Sequence, residues 1–293
     1  MGEAKIKGLV IKKYSSFYYV QDDKLDIYEC KLRGKFEKQL VLTGDKVLIT
    51  VLEENKGIVE EVLPRTNELY RPRIANVTMV LIVMANDFPL PSLSLLDRLL
   101  FLAYFNDIEP VIILNKSDLK MSNDAQIIND YYPRLNIKLV NTSTKTKTGH
   151  KTLEFLLADE VAVLAGPSGV GKSSLLNLLI SELNIKTNEV SDKIGRGRHT
   201  TRHVELFALS NGGLIADTPG FSTLGLPVVD KYDLASYFPD FAEYSSECRF
   251  ADCLHRKEKE CAVKERVAAG DIIPSRYDNY LLMLEEIIEN ERY

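Results

Sequence analysis

Two patterns of hydrophobic and polar positions follow one another along the chain. In the first, short runs of Val, Ile, Tyr and Phe alternate with Gly-, Asp- and Ser-containing turns, which is typical of β-strands. The predicted strands are Lys7–Lys12, Phe17–Val20, Leu25–Cys30, Lys46–Val51 and Gly57–Leu63. Short strands packed into about 60 residues predict a small β-barrel of the OB or SH3-like kind.

The second pattern begins near residue 75. Thr78–Ala85 is a continuous apolar run, typical of a strand buried on both faces, and Ser92–Phe105 has leucines and aromatic residues at helical spacing. Alternation then continues with a strand at Pro110–Leu114, a helix at Asp124–Tyr131, a strand at Ile137–Asn141, a helix at Lys151–Leu157 and a strand at Glu160–Ala165. Such alternation predicts an α/β domain with a doubly wound parallel sheet.

A third region follows residue 225, where the chain is polar and then helical, ending in an acidic helix predicted over Asp278–Glu291. The three regions predict three domains. They are an OB-type barrel at 1–66, the α/β domain at 67–225 and a small helical domain at 226–293. A chain of 293 residues is long enough for two or three domains.

Composition narrows the class of protein. Hydrophobic residues make up 45% of the chain and charged residues 27%, which excludes a disordered protein. No apolar run approaches the roughly 18 residues of a membrane span, and no signal-peptide pattern is visible, so we expect a cytoplasmic protein with no membrane partner. The net charge of −5 neither predicts nor excludes a nucleic-acid partner.

A glycine-rich segment lies between a predicted buried strand and an amphipathic helix. It fits the P-loop pattern G-x-x-x-x-G-K-[ST], whose backbone N–H groups surround phosphates at the positive end of the helix. Lys172 would reach the β- and γ-phosphates, and the Ser173 hydroxyl would ligate Mg²⁺. The nucleotide-binding residues predicted here are Gly166, Pro167, Ser168, Gly169, Val170, Gly171, Lys172, Ser173 and Ser174.

A second motif indicates which base is bound. Asn115, Lys116, Ser117 and Asp118 follow a predicted strand and resemble the N-K-x-D guanine-recognition motif of GTPases. A carboxylate at Asp118 can accept hydrogen bonds from the guanine N1–H and amine, whereas the adenine N1 is itself an acceptor. Asn141–Ser143 is a further candidate base-contact loop, with Ser143 assigned to the nucleotide site, although the contact made by Thr142 or Ser143 stays open.

Two further segments look like GTPase switches. Asp217, Thr218, Pro219 and Gly220 resemble switch II, with Asp217 holding Mg²⁺ and the Gly220 N–H facing the γ-phosphate. His199–Arg202, which precedes a strand predicted over His203–Leu209, resembles switch I, where Thr201 would complete a Mg²⁺ shell that also includes Ser173 and Asp217. GTP with Mg²⁺ is therefore the predicted ligand.

The residue after this switch II motif is Phe221, where many GTPases place the Gln that orients the attacking water. Intrinsic hydrolysis is therefore expected to be slow. His199 is the nearest candidate for positioning water. The alternative is that His199 contacts RNA or caps the segment.

The order of the motifs differs from that of ordinary GTPases, which run P-loop, switch I, switch II and then N-K-x-D. Here Asn115–Asp118 precedes the P-loop at Gly166, and the switches come last. All the pieces are present in rotated order, which predicts a circularly permuted GTPase. Movement of switch II could then be passed directly to the C-terminal region.

That C-terminal region holds three of the four cysteines in the chain. The residue set Cys248, Cys253, His255 and Cys261 matches a closed, tetrahedral Cys₃His structural zinc site, and one zinc ion is predicted. The alternatives are buried cysteines without a ligand and, less favoured because no C-x-x-C is present, a redox pair.

Together these features resemble the bacterial ribosome small subunit-dependent GTPase A family over essentially the whole chain. The resemblance implies an OB-fold, binding to the 30S ribosomal subunit and its rRNA, a role in late maturation of that subunit, and GTP hydrolysis to GDP stimulated by it. We expect a monomer. The rival interpretation is a non-hydrolysing guanine-nucleotide sensor that binds RNA. A P-loop ATPase or kinase is disfavoured by Asn115–Asp118.

Two basic segments bear on RNA binding. Lys193–Arg202 carries four Lys or Arg and one His with no acid, and Cys248–Arg266 carries six Lys or Arg against four acids. Basic segments beside a zinc module favour phosphate contact, but solvated charged surfaces have the same composition.

Overall fold

The computed structural model describes residues 5–34, 40–53, 55–70, 73–184, 204–209, 211–217 and 225–291. The chain forms two compact units assembled from separate segments. The first contains Met1–Leu81, Gly149–Ala165 and Gly171–Phe221, and the second contains Ile82–Thr148, Gly166–Val170 and Ser222–Tyr293. The three domains expected from sequence stay a prediction.

A closed barrel of five strands lies in the first unit. The strands are β1 (Lys5–Tyr14), β2 (Phe17–Gln21), β3 (Ile27–Leu32), β4 (Lys46–Glu53) and β5 (Lys56–Val62). Their order is β1-β2-β3-β5-β4, and β3 pairs with β5 in parallel while the other described pairs are antiparallel. This order is that of an OB-type barrel, so the SH3-like alternative is wrong. Its core is mainly aliphatic, with Val10, Val20, Val47, Ile49 and Val59 fully buried.

The third barrel strand begins two residues later than the sequence predicts. Leu25 has a φ of 69° and its N–H donates to Asp22 O. The Asp22 carboxylate also accepts from the N–H groups of Lys24 and Asp26. The side chain therefore stabilises a turn that propensity alone does not reveal, and the strand starts at Ile27.

A six-stranded mixed sheet follows a short antiparallel pair, β6 (Glu68–Tyr70) and β7 (Arg73–Ala75). The strands of the sheet are β8 (Met79–Ala85), β9 (Glu109–Asn115), β10 (Lys138–Asn141), β11 (Val161–Ala165), β12 (Phe207–Ala208) and β13 (Leu214–Asp217). Their order is β10-β9-β8-β11-β13-β12. Every residue of β8 and β11 is buried, as the apolar runs predict.

Helices alternate with these strands. They are α1 (Leu93–Phe105), α2 (Asn123–Tyr131), α3 (His150–Leu156) and α4 (Lys172–Asn184). Both β9–β10 and β11–β13 are parallel pairs whose connections contain a helix, which confirms the predicted α/β arrangement. β12 is antiparallel to its neighbour, β13.

The C-terminal region is helical, as predicted. It contains α5 (Pro239–Ser245), α6 (Ala262–Ala269) and α7 (Pro274–Asn290). α7 begins four residues before the predicted start because Pro274 suits the first helical turn and because Arg276, a polar residue, is buried. Among the described residues no helix combines the length and apolar character that a membrane crossing requires.

Candidate functional site

The P-loop connects the end of β11 to the start of α4. Gly166 has a φ of 128°, and a Cβ atom there would lie 2.1 Å from the Val83 carbonyl oxygen. Gly169 and Gly171 have φ values of 81° and 100°. The loop therefore needs glycine for both backbone conformation and close approach.

α4 begins at Lys172, and its backbone bond from Leu175 N–H to Gly171 O is 2.9 Å long. No acidic residue lies in the first turn of this helix. Ser173 and Ser174 are exposed, whereas Lys172 is half-buried. A glycine-rich turn entering a helix in this way is suited to hold an anion at the helix N-terminus.

The N-K-S-D residues bond directly to the backbone of the P-loop within the second unit. Asn115 ends β9, is buried, and donates from Nδ2 to Val170 O at 2.8 Å. Lys116 donates from Nζ to Gly169 O at 2.8 Å and also to Phe88 O. The base-recognition motif and the phosphate loop predicted from sequence therefore lie together.

The Asn141–Ser143 loop completes this cluster from the end of β10. The Ser143 hydroxyl donates to Asp118 Oδ1 at 2.6 Å, and Lys145 Nζ lies 3.8 Å from Asp118 Oδ2. The Ser143 hydrogen bond is the main reason that the pKa of Asp118 lies below its usual range, and Lys145 lowers it further. Asp118 is therefore held as a carboxylate, the form that accepts from a guanine edge.

Thr142 has a different structural role from Ser143. It is buried, its Oγ1 donates to Asn115 Oδ1 at 3.0 Å, and its carbonyl accepts from Ser117 N–H at 2.9 Å. Thr142 thus braces the N-K-S-D loop while Ser143 contacts the carboxylate. The sequence left these two roles open because both hydroxyls follow the same strand.

The predicted switch and magnesium residues are described only in part. Asp217 is the last residue of β13, and its backbone pairs with Leu164 of β11, two residues before the P-loop. Thr201, Gly220, His199 and Phe221 lie outside the described residues. The predicted strand at His203–Leu209 is reduced to Phe207–Ala208, because Leu206 N–H bonds to Ile11 O of the barrel.

The three cysteines and the histidine of the C-terminal region converge, as predicted. The ligand atoms of Cys248, Cys253, His255 and Cys261 all lie within 4.8 Å of one another. His255 Nδ1 is 3.6 Å from Cys248 Sγ and 3.4 Å from Cys261 Sγ. Tetrahedral ligands about 2.0–2.3 Å from a zinc ion are separated by similar distances, so the residues fit that ion.

The protonation of this cluster also suits a cation. Burial lowers the pKa of His255, which favours the neutral imidazole that a metal requires. Burial raises the pKa of Cys253 to about 12 and also raises that of Cys261, and a metal ion would reverse both effects by binding thiolates. The outer His255 Nε2 lies 3.3 Å from Ser245 Oγ, a contact that orients the ring.

Comparison with protein families gives two matches. The chain matches the RsgA N-terminal domain over residues 7–59 and the RsgA GTPase model over residues 62–227, more than half of its length. It is 51% identical over 290 residues to the small ribosomal subunit biogenesis GTPase RsgA of Carboxydothermus hydrogenoformans, covering 98% of this chain and 99% of that protein. The protein of the same name from Moorella thermoacetica is 46% identical over 289 residues, with 98% and 99% covered.

Two solved structures are similar over nearly the whole chain. The crystal structure of YjeQ from Thermotoga maritima has a TM-score of 0.84 and 35% identity, covering 97% of this chain and 99% of that one. The structure of YloQ, described as a circularly permuted GTPase, has a TM-score of 0.82 and 37% identity, covering 98% and 96%. The circular permutation predicted from motif order is confirmed.

Proposed function

Since the chain belongs to the RsgA GTPase family, it is a GTP hydrolase, and we propose that it acts on the small (30S) ribosomal subunit during late maturation. The observation that carries this proposal is the bonding of the N-K-S-D loop to the P-loop backbone, combined with full-length similarity to small ribosomal subunit biogenesis GTPases. In this proposal the 30S subunit stimulates hydrolysis of GTP to GDP. The partners are the subunit and its rRNA, and the protein acts as a cytoplasmic monomer.

The proposed nucleotide site divides between base and phosphates. Asp118 accepts from the guanine edge, with Ser143 holding its carboxylate, while the P-loop N–H groups and Lys172 neutralise the phosphates. The full proposed set is Asn115, Lys116, Ser117, Asp118, Ser143, Gly166, Pro167, Ser168, Gly169, Val170, Gly171, Lys172, Ser173, Ser174, Asp217 and Gly220.

Magnesium is proposed as the cofactor of hydrolysis, held by Ser173, Thr201 and Asp217. It supplies charge neutralisation at the β- and γ-phosphates. Water then attacks the γ-phosphorus, the bond to the β–γ bridging oxygen breaks, and GDP and inorganic phosphate result. Because Phe221 has no hydrogen-bonding group, we assign the positioning of this water to His199 on the bound subunit.

We propose that the Cys₃His cluster holds one structural zinc ion. All four ligands come from one short stretch, so the ion would fix the connection between α5 and α6. The three functional parts of the chain are then the barrel at 1–66, the GTPase domain at 67–225 and the zinc-binding domain at 226–293.

The rival interpretation from sequence is a guanine-nucleotide sensor that binds RNA without hydrolysing GTP. Membership of a family of GTPases disfavours it. Phe221 stands where many GTPases place a water-orienting Gln, so slow intrinsic hydrolysis is the expectation that this residue supports.

Sedimentation with purified ribosomal subunits tests the proposed partner. The protein should pellet with 30S subunits in the presence of a non-hydrolysable GTP analogue and much less with GDP. It should not pellet with 50S subunits. Lys172→Ala, which removes the main charge facing the triphosphate, should lose the response to the analogue. Pelleting that is equal for both subunits and all nucleotides would contradict the proposal.

A further inference from the structure

Asn86 is a buried polar residue that the nucleotide motifs do not include. It directly follows β8 and has an exposed fraction of 2%. Burying an amide is unfavourable unless its hydrogen bonds are satisfied. The Asn86 Oδ1 has no hydrogen-bond partner among the described residues, so the bond that its Nδ2 donates is the contact that accounts for a buried amide at this position.

Three hydrogen bonds join Asn86 to the segment that contains the N-K-S-D motif. Its N–H donates to Asn115 O at 2.9 Å, and its carbonyl accepts from Ser122 N–H at 2.8 Å. Its side-chain Nδ2 donates to Leu119 O at 3.3 Å. One residue therefore contacts the start, the middle and the end of the 115–122 segment.

The side-chain bond reaches the residue directly after Asp118. Leu119 N–H also bonds to Lys116 O at 2.8 Å, which closes a tight turn with Asp118 inside it. Lys116 has a φ of 59°, a conformation that L-residues rarely adopt and that surrounding contacts must hold in place.

Thr142 and Ser143 act on the same segment through different groups. They contact Asn115, Ser117 and Asp118. Among the described residues, Asn86 is the only one whose side chain donates a hydrogen bond to Leu119 O. Removing the Asn86 amide therefore releases the peptide that follows Asp118 while leaving the Ser143 contact in place.

We propose that Asn86 is a positioning residue for guanine specificity: its side-chain amide fixes the turn after Asp118, so that the carboxylate meets both the N1–H and the 2-amino group of the base. This inference rests on the proposed guanine site. It concerns discrimination between bases and assigns Asn86 no contact with the nucleotide.

Inosine nucleotides provide the probe, because hypoxanthine has the N1–H of guanine but lacks the 2-amino group. The affinities of wild type, Asn86→Asp and Asn86→Ala for GDP and IDP are measured by titration. Asn86→Asp keeps the shape of the side chain but replaces the Nδ2 donor with an oxygen. Asn86→Ala removes the Nδ2 donor without adding a charge. Such titrations report on the folded protein. A loss of stability therefore lowers their amplitude but leaves the ratio of the GDP and IDP affinities unchanged.

Asn106→Asp is the matched control. The Asn106 Nδ2 donates to Leu102 O at 2.7 Å, at the end of α1. The Asn106→Asp variant therefore loses the same kind of amide-to-carbonyl bond, but outside the 115–122 segment. We expect the preference for GDP over IDP to fall by about fivefold or more in both Asn86 variants. A fall of this size corresponds to weakening, without complete loss, of one charge-assisted hydrogen bond to the base. The Asn106 variant should keep the wild-type ratio.

An unchanged GDP-to-IDP affinity ratio in folded Asn86 variants would overturn the inference. Failure of both variants to fold would also overturn it, because the Asn86 amide would then serve the fold alone. If wild type itself does not prefer GDP to IDP and ADP, the proposed guanine site is wrong. That result is distinct from a normal wild type with unaffected variants.

Discussion

At the scale of single residues, the proposed site assigns the choice of base to Asp118. Ser143 and Lys145 both favour its ionised form, and in the proposed site that carboxylate would accept from the guanine N1–H and amine. Asp118→Asn replaces an acceptor with an amide donor. We expect GTP affinity to fall by about 100-fold or more, since two charge-assisted hydrogen bonds are lost, and xanthosine triphosphate to bind better than GTP. Titration of both nucleotides measures the change, and unaltered GTP affinity would rule out this assignment.

The same carboxylate predicts a pH dependence. Guanine binding should weaken as the pH falls through the pKa of Asp118, which lies below the usual value chiefly because of the Ser143 hydrogen bond. In Ser143→Ala that pKa rises, so the acid limb of GDP affinity should move to higher pH. Thr146→Ala is the control, because the bond from Thr146 to Ser143 uses the backbone N–H and Thr146 is outside the proposed nucleotide site. Identical acid limbs in wild type and Ser143→Ala would contradict the role of Ser143.

The candidate motifs could be predicted from sequence because each combines a residue type with a strand or helix end. Their partners could not be recognised. Asn115 and Lys116 bond to carbonyls that lie 55 and 53 positions away in the chain, and backbone acceptors leave no trace in residue identity. Asn86 gave no signal either, since an Asn after a strand is ordinary loop composition.

At the scale of elements, a buried ionic cluster joins three helices of the second unit. Arg276 of α7 bonds to Asp97 of α1 at 2.5 Å and to Asp240 of α5 at 3.0 Å. Tyr132 and Tyr131 donate to the same two carboxylates, each at 2.7 Å. Burial raises the pKa of Asp97, although the charge of Arg276 opposes the shift. The ionised form of Asp97 is therefore stabilised by its partners and not by solvent.

Arg276→Met should therefore lower the free energy of unfolding by about 3–5 kcal/mol, because it leaves two buried carboxylates without their cation. Arg266→Met is the control. The Arg266 pair with Asp271 is solvent-exposed, and its loss should cost at most about 1 kcal/mol. Urea unfolding followed by circular dichroism measures both, and equal stabilities would show that the buried cluster contributes little.

The metal cluster predicts a second effect at this scale. Cys253→Ser should abolish stoichiometric zinc and unfold the connection between α5 and α6, because a four-ligand site loses one thiolate. Elemental analysis of protein purified without chelators gives the metal content. Cys30→Ala is the control, since Cys30 lies in the barrel core and should leave zinc bound. Wild-type protein without zinc would contradict the proposed cofactor.

Periodicity predicted the strands of the sheet and the helices between them because their buried faces are mainly apolar. It failed where polar residues occupy the interior. The start of α7 was missed because the polar residue Arg276 fills a core position. β12 was predicted too long because residues 204–206 bond to the barrel. Such exceptions depend on partners distant in sequence.

At the scale of the whole molecule, the family predicted from the motifs is confirmed by full-length relatives and family models. In the first unit, the barrel is bonded to the residues that follow the predicted switch I segment. Thr43 Oγ1 donates to Val204 O at 3.1 Å, and Lys12 pairs with Glu205 at 2.9 Å. A barrel proposed to contact rRNA is thus bonded to the residues that follow a predicted nucleotide-sensing loop. This arrangement is suited to linking RNA binding to the nucleotide state.

GTP turnover with and without purified 30S subunits is the most direct test of the account. Wild type should hydrolyse GTP slowly alone and at least about tenfold faster with 30S subunits, because Phe221 cannot orient water and the subunit would order His199. 50S subunits should have no such effect, and Lys172→Ala should be inactive in all conditions. Turnover that 30S subunits leave unchanged, or bound GTP that stays intact in their presence, would contradict a subunit-stimulated GTPase.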